Sequence, residues 1–179
     1  MSFETEVEKV VATEGGYVNN PADSGGETIY GITRATARAF GYTSPMRDMT
    51  RTDAKTIYKK RYWDALLLDS IEHIAAEIAT ELFDTAVNCG PQRAGEFFQR
   101  SLNVLNNHGS FYGELNADGR IGPMTIAAFH DFLVRRGYQG RLVMLRALNS
   151  LQGAYYIELA ELREKDEEFV FGWLLNRVI

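Results

Sequence analysis

Three side chains near the N-terminus, Glu14, Asp23 and Thr28, have types that suit glycosidic bond cleavage and lie within fifteen residues of one another. This cleavage needs a proton on the leaving oxygen, and a carboxyl group keeps one near neutral pH only when its pKa is raised. A second carboxylate can orient or activate a water molecule, and a threonine hydroxyl can hold that water. We therefore predict that Glu14 is the general acid, Asp23 the water-orienting partner and Thr28 the water holder.

The predicted surroundings of Glu14 suit a proton donor. Glu14 follows Val10 by four residues and Val7 by seven, so it continues the apolar face of a helix that begins near Ser2. Two glycines follow at once and should end that helix. Apolar neighbours and the negative end of a helix dipole both disfavour the ionised carboxylate, so the pKa of Glu14 should be raised.

Structural roles are the alternative for both acids. Glu14 can form a salt bridge with Arg34 or Arg38, and Asp23 can bond backbone amides within a tight turn. If both are catalytic, the distance between their carboxyl groups indicates the stereochemistry. A distance of about 6.5 to 9.5 Å implies inversion, and one of about 5 to 5.5 Å implies a covalent intermediate. Room for a water molecule between a loop and a helix end favours inversion here.

Aromatic and polar side chains elsewhere are candidates for binding substrate. The rings of Tyr17, Tyr30 and Trp63 can stack on sugars, although aromatic residues at helical spacing also pack in cores. Asp84 and Asn88 lie one turn apart on a predicted helix and can line a cleft. The histidines lack the spacing of metal ligands, so we expect neither a metal nor a cofactor.

The elements that must position these residues are mostly helical. After the first helix come turn signals and one alternating segment, "ETIYGIT", which predicts a strand or hairpin. Apolar periodicity and capping residues then predict helices from Thr33 to Gly41, over 51–67, 70–89 and 92–106, from Pro123 to Gly137, over 141–165 and over 167–179. The prediction is a mainly α protein with a small β element. The best boundary is Gly90–Pro91, giving lobes 1–90 and 91–179.

Charge and composition exclude several classes of protein. The net charge of −5 and the isoelectric point near 5.3 argue against a nucleic-acid partner. The single cysteine, Cys89, excludes an internal disulfide and is expected to be a buried thiol. No apolar run is long enough for a membrane span, and the acidic start lacks the features of a secretory signal. We expect a monomer made in the cytoplasm.

Several segments resemble one family of proteins. "EGGYVNNPADSGGETIYGIT" is similar to the signature of glycoside hydrolase family 108, the phage and bacterial N-acetylmuramidases, in which the glutamate of "EGGY" is catalytic. "YKKRYWDAL" and "FDTAVNCGPQRAGEFFQ" resemble further segments of that family, and "NADGRIGPMTIAAF" resembles its peptidoglycan-binding-type region. The spacing of Glu14, Asp23 and Thr28 is also similar to that in phage-type lysozymes, with one residue fewer before the threonine.

The resemblance implies a lysozyme-like helical fold with a small β-hairpin after the first helix. It implies hydrolysis of the β-1,4 bond between N-acetylmuramic acid and N-acetylglucosamine, so peptidoglycan glycan strands are the expected partner. An endolysin of this kind would need a holin or an equivalent to release it to the cell wall. Two alternatives stay open: a lytic transglycosylase that yields 1,6-anhydro products, and a non-catalytic wall-binding or secretion-related module.

Overall fold

The computed structural model describes residues 3–13, 16–19 and 26–178. The chain divides into two compact units, Met1–Ala65 and Leu66–Ile179. The first unit contains three helices and a small antiparallel sheet: α1 (Phe3–Thr13), β1 (Val18–Asn19), β2 (Glu27–Ile29), β3 (Ile32–Thr33), α2 (Arg34–Ala39) and α3 (Arg51–Tyr58), with a 3-10 turn at Met46–Asp48. The β element is thus a three-stranded sheet, larger by one strand than the predicted hairpin.

Side-chain caps begin two of these helices where the sequence predicts them. The Thr33 hydroxyl accepts a hydrogen bond from the Thr36 N–H, and Thr50 forms a reciprocal capping box with Asp53. The predicted helix over 51–67 is wrong in its length, because α3 ends at Tyr58. A π-helical turn (Lys59–Trp63) and a 3-10 turn (Asp64–Leu66) follow it.

The second unit is helical throughout its regular structure. Its helices are α4 (Leu68–Ile74), α5 (Ala76–Cys89), α6 (Pro91–Val104), α7 (Pro123–Leu162) and α8 (Glu167–Arg177), with a 3-10 turn at Glu164–Asp166. Together with the small sheet of the first unit, these helices confirm the predicted mainly α, lysozyme-like class. Among the described residues, no helix combines the length and the apolarity needed to span a bilayer.

The helix predicted over 70–89 is in fact two helices. Ala75 has φ −156° and ψ 101°, which separates α4 from α5. Alanine is the strongest helix former, so no local signal marks this break. Ala75 is only 1 % exposed, and its N–H and carbonyl bond Ile71 and Ile78 on either side. Packing of both short helices therefore outweighs the propensity of one residue.

Gly90 and Gly137 interrupt the helices as predicted. Gly90 has φ +89°, ends α5 and is followed by Pro91 as the first residue of α6. Gly137 has φ +55° and ψ −143°, so α7 consists of two helical arms that meet in a kink at this residue. Its second arm ends at Leu162 rather than near residue 165.

The core of the second unit forms where α5 packs against α4, α6 and α7. Phe98 of α6 is fully buried, and its ring meets that of Phe129 of α7 edge-on, with 5.1 Å between centroids. Ile78 and Leu82 of α5 are also fully buried. The hydrophobic contacts of α5 are therefore made largely with helices that follow it in the chain.

Candidate active site

The small sheet of the first unit positions one of the three predicted catalytic residues. Thr28 is the middle residue of β2, the central strand, and pairs with Val18 of β1 and Thr33 of β3. It is half-buried. Pairing on both sides fixes its backbone, so the orientation of its hydroxyl depends only on its side-chain rotamer.

Tyr30 lies in the tight turn between β2 and β3. Tyr30 and Gly31 both have positive φ, 50° and 71°, as a two-residue type I′ hairpin turn requires. The left-handed region is uncommon for a tyrosine. The Tyr30 carbonyl accepts a hydrogen bond of 3.1 Å from the Tyr58 hydroxyl, which ties the turn to the end of α3.

Tyr17 is held by a carboxylate that the sequence analysis did not single out. Its hydroxyl donates to Glu27 Oε1 at 2.8 Å, and the guanidinium of Arg34 donates to Glu27 Oε2 at 3.3 Å. Donation to Glu27 stabilises the protonated phenol, so the pKa of Tyr17 lies above its ordinary value. The residue stays 38 % exposed. The hydroxyl is thus fixed while the ring remains accessible.

Trp63 does not occupy the position that sugar stacking requires. It is 1 % exposed, and its ring packs edge-on against Phe3 of α1 with 5.3 Å between centroids. Stacking on a sugar needs an accessible ring face. Trp63 is therefore a core residue, which is the alternative that the sequence left open beside sugar binding.

Glu14 and Asp23 both lie outside the described residues, so their predicted roles stay predictions. The helix that leads to Glu14 is described as far as Thr13. The predicted apolar face is buried, with Val7 0 % and Val11 1 % exposed and Val10 half-buried. Glu6 is also buried, at 7 %, and its carboxylate bonds Lys9. Arg34, one of the two predicted salt-bridge partners, bonds Glu27 within the part of the chain that is described.

Asp84 and Asn88 lie one turn apart on α5, as predicted, but their described contacts are structural. The Asp84 carboxylate accepts from Arg177 of α8 at 3.1 Å and from Gln152 of α7 at 3.3 Å. The Asn88 amide donates to the Asp84 carbonyl at 2.7 Å. Asp84 therefore joins three helices of the second unit, and its role in substrate binding stays a prediction.

One turn before Asp84, Glu81 is a buried carboxyl group that the sequence analysis did not identify. It is 9 % exposed, and burial, reinforced by the charge of Asp84, raises its pKa from 4.5 to about 7. Hydrogen bonding by Asn149 opposes this rise. Among the described atoms, Glu81 Oε1 and Gln152 Oε1 are buried without a hydrogen-bond partner. The sequence signal that could have identified Glu81 is its place on the apolar face of α5, beside Ile78 and Leu82.

Stability should depend on pH through Glu81. Between about pH 4.5 and pH 7 the unfolded chain releases this proton while the folded chain keeps it. The free energy of unfolding therefore falls as pH rises through this window, by about 3 kcal/mol from this group. Glu81→Gln keeps a neutral side chain at every pH, so its stability relative to the parent should increase by about that amount between pH 5 and pH 8.

Urea denaturation at pH 5, 6, 7 and 8 measures this difference. Glu77→Gln, at a half-exposed position of the same helix, is the control for the substitution itself. A difference between Glu81→Gln and the parent that does not change with pH would contradict the raised pKa of Glu81.

Comparison with known families decides what kind of protein this is. Residues 7–90 match the family model described as Glycosyl hydrolase 108, and residues 93–178 match the model described as Predicted Peptidoglycan domain. Residues 7–90 are therefore a glycosyl hydrolase 108 domain. As a glycosyl hydrolase 108 protein the chain is a glycosidase that hydrolyses peptidoglycan.

The fold of this glycosyl hydrolase 108 protein is similar to that of a solved structure, Brucella abortus SagA. The TM-score is 0.64 at 24 % sequence identity, over 99 % of this chain and 98 % of that one. At this identity the likeness concerns the fold alone. None of the curated proteins compared with the chain matches it.

Proposed function

We propose that this protein is an N-acetylmuramidase in which Glu14 protonates the oxygen that links N-acetylmuramic acid to N-acetylglucosamine. The observation that carries the proposal is the match of residues 7–90 to glycosyl hydrolase 108, which includes the "EGGY" segment. Support also comes from α1, whose buried valines lead directly to this glutamate in the sequence. Apolar surroundings of this kind favour a protonated carboxyl group.

In this proposal the remaining site residues handle the water and the sugar. Asp23 orients or activates the attacking water, and the Thr28 hydroxyl holds it, from a strand whose backbone is paired on both sides. Tyr17 offers an accessible ring, and Tyr30 lies in the adjacent turn of the same sheet. Asp84 and Asn88 contribute contacts from α5. We expect inversion, because a water molecule between the two carboxyl groups requires the larger separation.

The two regions of the chain would share the work on the wall. We propose that residues 1–90 carry the catalytic groups and that residues 91–179 hold the peptidoglycan, which agrees with the limits of the two family matches. The compact units divide elsewhere, after Ala65. The proposed catalytic region therefore includes α4 and α5, which belong to the second unit.

Delivery to the wall completes the proposal. The substrate lies beyond the cytoplasmic membrane, so a protein made in the cytoplasm must be released to reach it. We propose that it acts as a monomeric endolysin, released in a bacteriophage context by a holin or an equivalent. Host lysis by expression with and without a holin tests this part, which is independent of the bond that is cleaved.

Product analysis on purified peptidoglycan tests the proposed reaction. A muramidase adds water across the bond, so digestion should yield muropeptides with reducing N-acetylmuramic acid ends, which borohydride converts to the alditol. A lytic transglycosylase would instead leave 1,6-anhydro ends that borohydride does not reduce. A wall-binding module would sediment with peptidoglycan and yield no new ends. Either of these two results, found by mass spectrometry, would overturn the proposal.

A further inference from the structure

The side chain of Glu27 joins two segments of the first unit through its two oxygens. Oε1 accepts from the Tyr17 hydroxyl, just before β1, and Oε2 accepts from Arg34 at the start of α2. The Glu27 side chain is 21 % exposed, while that of Arg34 is 62 % exposed. Because each oxygen has a different partner, the carboxylate cannot rotate without losing at least one of these bonds.

The segment that Glu27 holds, residues 16–19, is exposed, and the Asn19 side chain is a second hydrogen-bonding partner of Tyr17. Gly16, which precedes Tyr17, contributes no side chain, and a Cβ built there would meet no atom within 4 Å. Val18 and Asn19 are exposed and are held to β2 by backbone pairing. The tether between the Tyr17 hydroxyl and Glu27 is therefore well placed to set the tilt of the Tyr17 ring.

A tether of this kind adds little to the stability of the fold, but it can determine the position of the Tyr17 ring. Exposed ion pairs contribute little to folding, and solvent at this exposed site screens the charge-assisted hydrogen bond between the Tyr17 hydroxyl and the Glu27 carboxylate. By contrast, a displacement of about 1 Å in a group that contacts substrate can change a rate by a factor of about one hundred. A ring that stacks on a sugar needs a defined tilt. The effect of Glu27 should thus appear in substrate handling.

We propose that Glu27 is a positioning residue, which orients the ring of Tyr17 for contact with the glycan strand by accepting its hydroxyl hydrogen bond while Arg34 holds the carboxylate. The proposal rests on the proposed muramidase function, since it assigns the accessible ring of Tyr17 to the substrate. The proposed contact is between the apolar face of a sugar and the aromatic ring of Tyr17.

A double-mutant cycle with a soluble glycan fragment tests the proposal. Glu27→Ala and Tyr17→Phe should each weaken binding of the fragment and lower kcat/KM about tenfold, mainly through KM, because ring contact is made in both ground and transition states. The double variant should lose about tenfold as well, rather than about one hundredfold, because both changes remove the same bond. Glu27→Gln should recover much of the loss, since its amide oxygen can accept from the phenol.

The control is a carboxylate that is also paired with an arginine but does not touch Tyr17. Glu8 of α1 accepts from Arg51 at 3.0 Å, and Glu8→Ala should leave both binding and turnover at the parent level. Thermal unfolding of all variants separates position from stability, because Glu27→Ala should unfold within a few degrees of the parent.

Three outcomes would overturn the proposal. Losses that multiply in the double variant would mean that Glu27 does not act through Tyr17. Binding and kcat/KM at the parent level in both single variants would mean that neither Glu27 nor the Tyr17 hydroxyl affects substrate handling. A parent that neither binds nor cleaves the fragment would remove the proposed function as well. A parent that binds without cleaving would remove only the proposed function, because the cycle can still be measured in dissociation constants.

The bond itself can be observed without any substrate. The hydrogen bond that the Tyr17 hydroxyl donates to Glu27 raises the pKa of Tyr17, so Glu27→Ala should lower that pKa toward its ordinary value. NMR titration of labelled tyrosine measures this, with Tyr17→Phe to assign the signal among the nine tyrosines. An unchanged Tyr17 titration would show that the bond does not form in solution.

Discussion

Glu14→Gln should lower the rate of peptidoglycan hydrolysis by a factor of about one hundred to ten thousand, the usual contribution of a general acid. Glutamine has nearly the shape of the protonated glutamate but no acidic proton to give to the leaving oxygen. Release of reducing ends from purified peptidoglycan measures the rate. Circular dichroism and the unfolding midpoint should stay at the parent values.

The matched control is Glu4→Gln, which changes the same group on α1. Its side chain is 71 % exposed and lies 3.6 Å from Lys55, so hydrolysis should continue at the parent rate. Parental hydrolysis by Glu14→Gln would contradict the assignment of the acid.

A second comparison tests Glu81, the described carboxyl group whose pKa lies near neutrality. Burial raises the pKa of Glu81 to about 7, which by itself could produce an alkaline decline in activity. If Glu14 is the acid, the alkaline limb of the pH profile should persist in Glu81→Gln. Loss of that limb together with the activity would move the role to Glu81.

Phe98→Ala should destabilise the protein by about 3 to 5 kcal/mol, which is a large fraction of the stability of an ordinary domain. Phe98 is fully buried, and removing its ring leaves a cavity beside Phe129 that two packed helices cannot close. Urea denaturation at a fixed pH measures the change.

Phe171 of α8 provides the matched control, because its ring is 75 % exposed. Phe171→Ala should change the free energy of unfolding by less than about 0.5 kcal/mol. A loss below about 1 kcal/mol for Phe98→Ala would show that the core relaxes around the missing ring.

Local signals account for the elements that the sequence predicted well. Thr33, Thr50, Gly90, Pro91 and Gly137 act on the backbone within a few residues, so their effects can be read without knowing the fold. The break at Ala75 depends on how α4 and α5 each pack, and the π-helical turn after α3 likewise has no local mark in the sequence. These two features are set by tertiary contacts.

The difference between local signals and tertiary contacts also explains which site residues could be predicted from the sequence. Glu14, Asp23 and Thr28 were predicted together because they lie within about fifteen positions of one another, and their catalytic roles stay predictions. Spacing alone could not separate a tryptophan in the core from one that stacks on a sugar, and Trp63 is 1 % exposed. Glu27 and Glu81 were missed because their significance lies in partners on other elements: Tyr17 and Arg34 for the first, and a buried position near Asp84 and Asn149 for the second.

The position of α5 limits how proteins of this design can be recombined. It lies within the hydrolase family match, yet its buried side chains pack against α6 and α7, which belong to the peptidoglycan-domain match. A chimaera joined at residue 90 would therefore give α5 a foreign surface to pack against. Exchange of the peptidoglycan-domain region between relatives would succeed only if the residues of α5 that face it were exchanged too. The two matched regions should therefore change together during evolution.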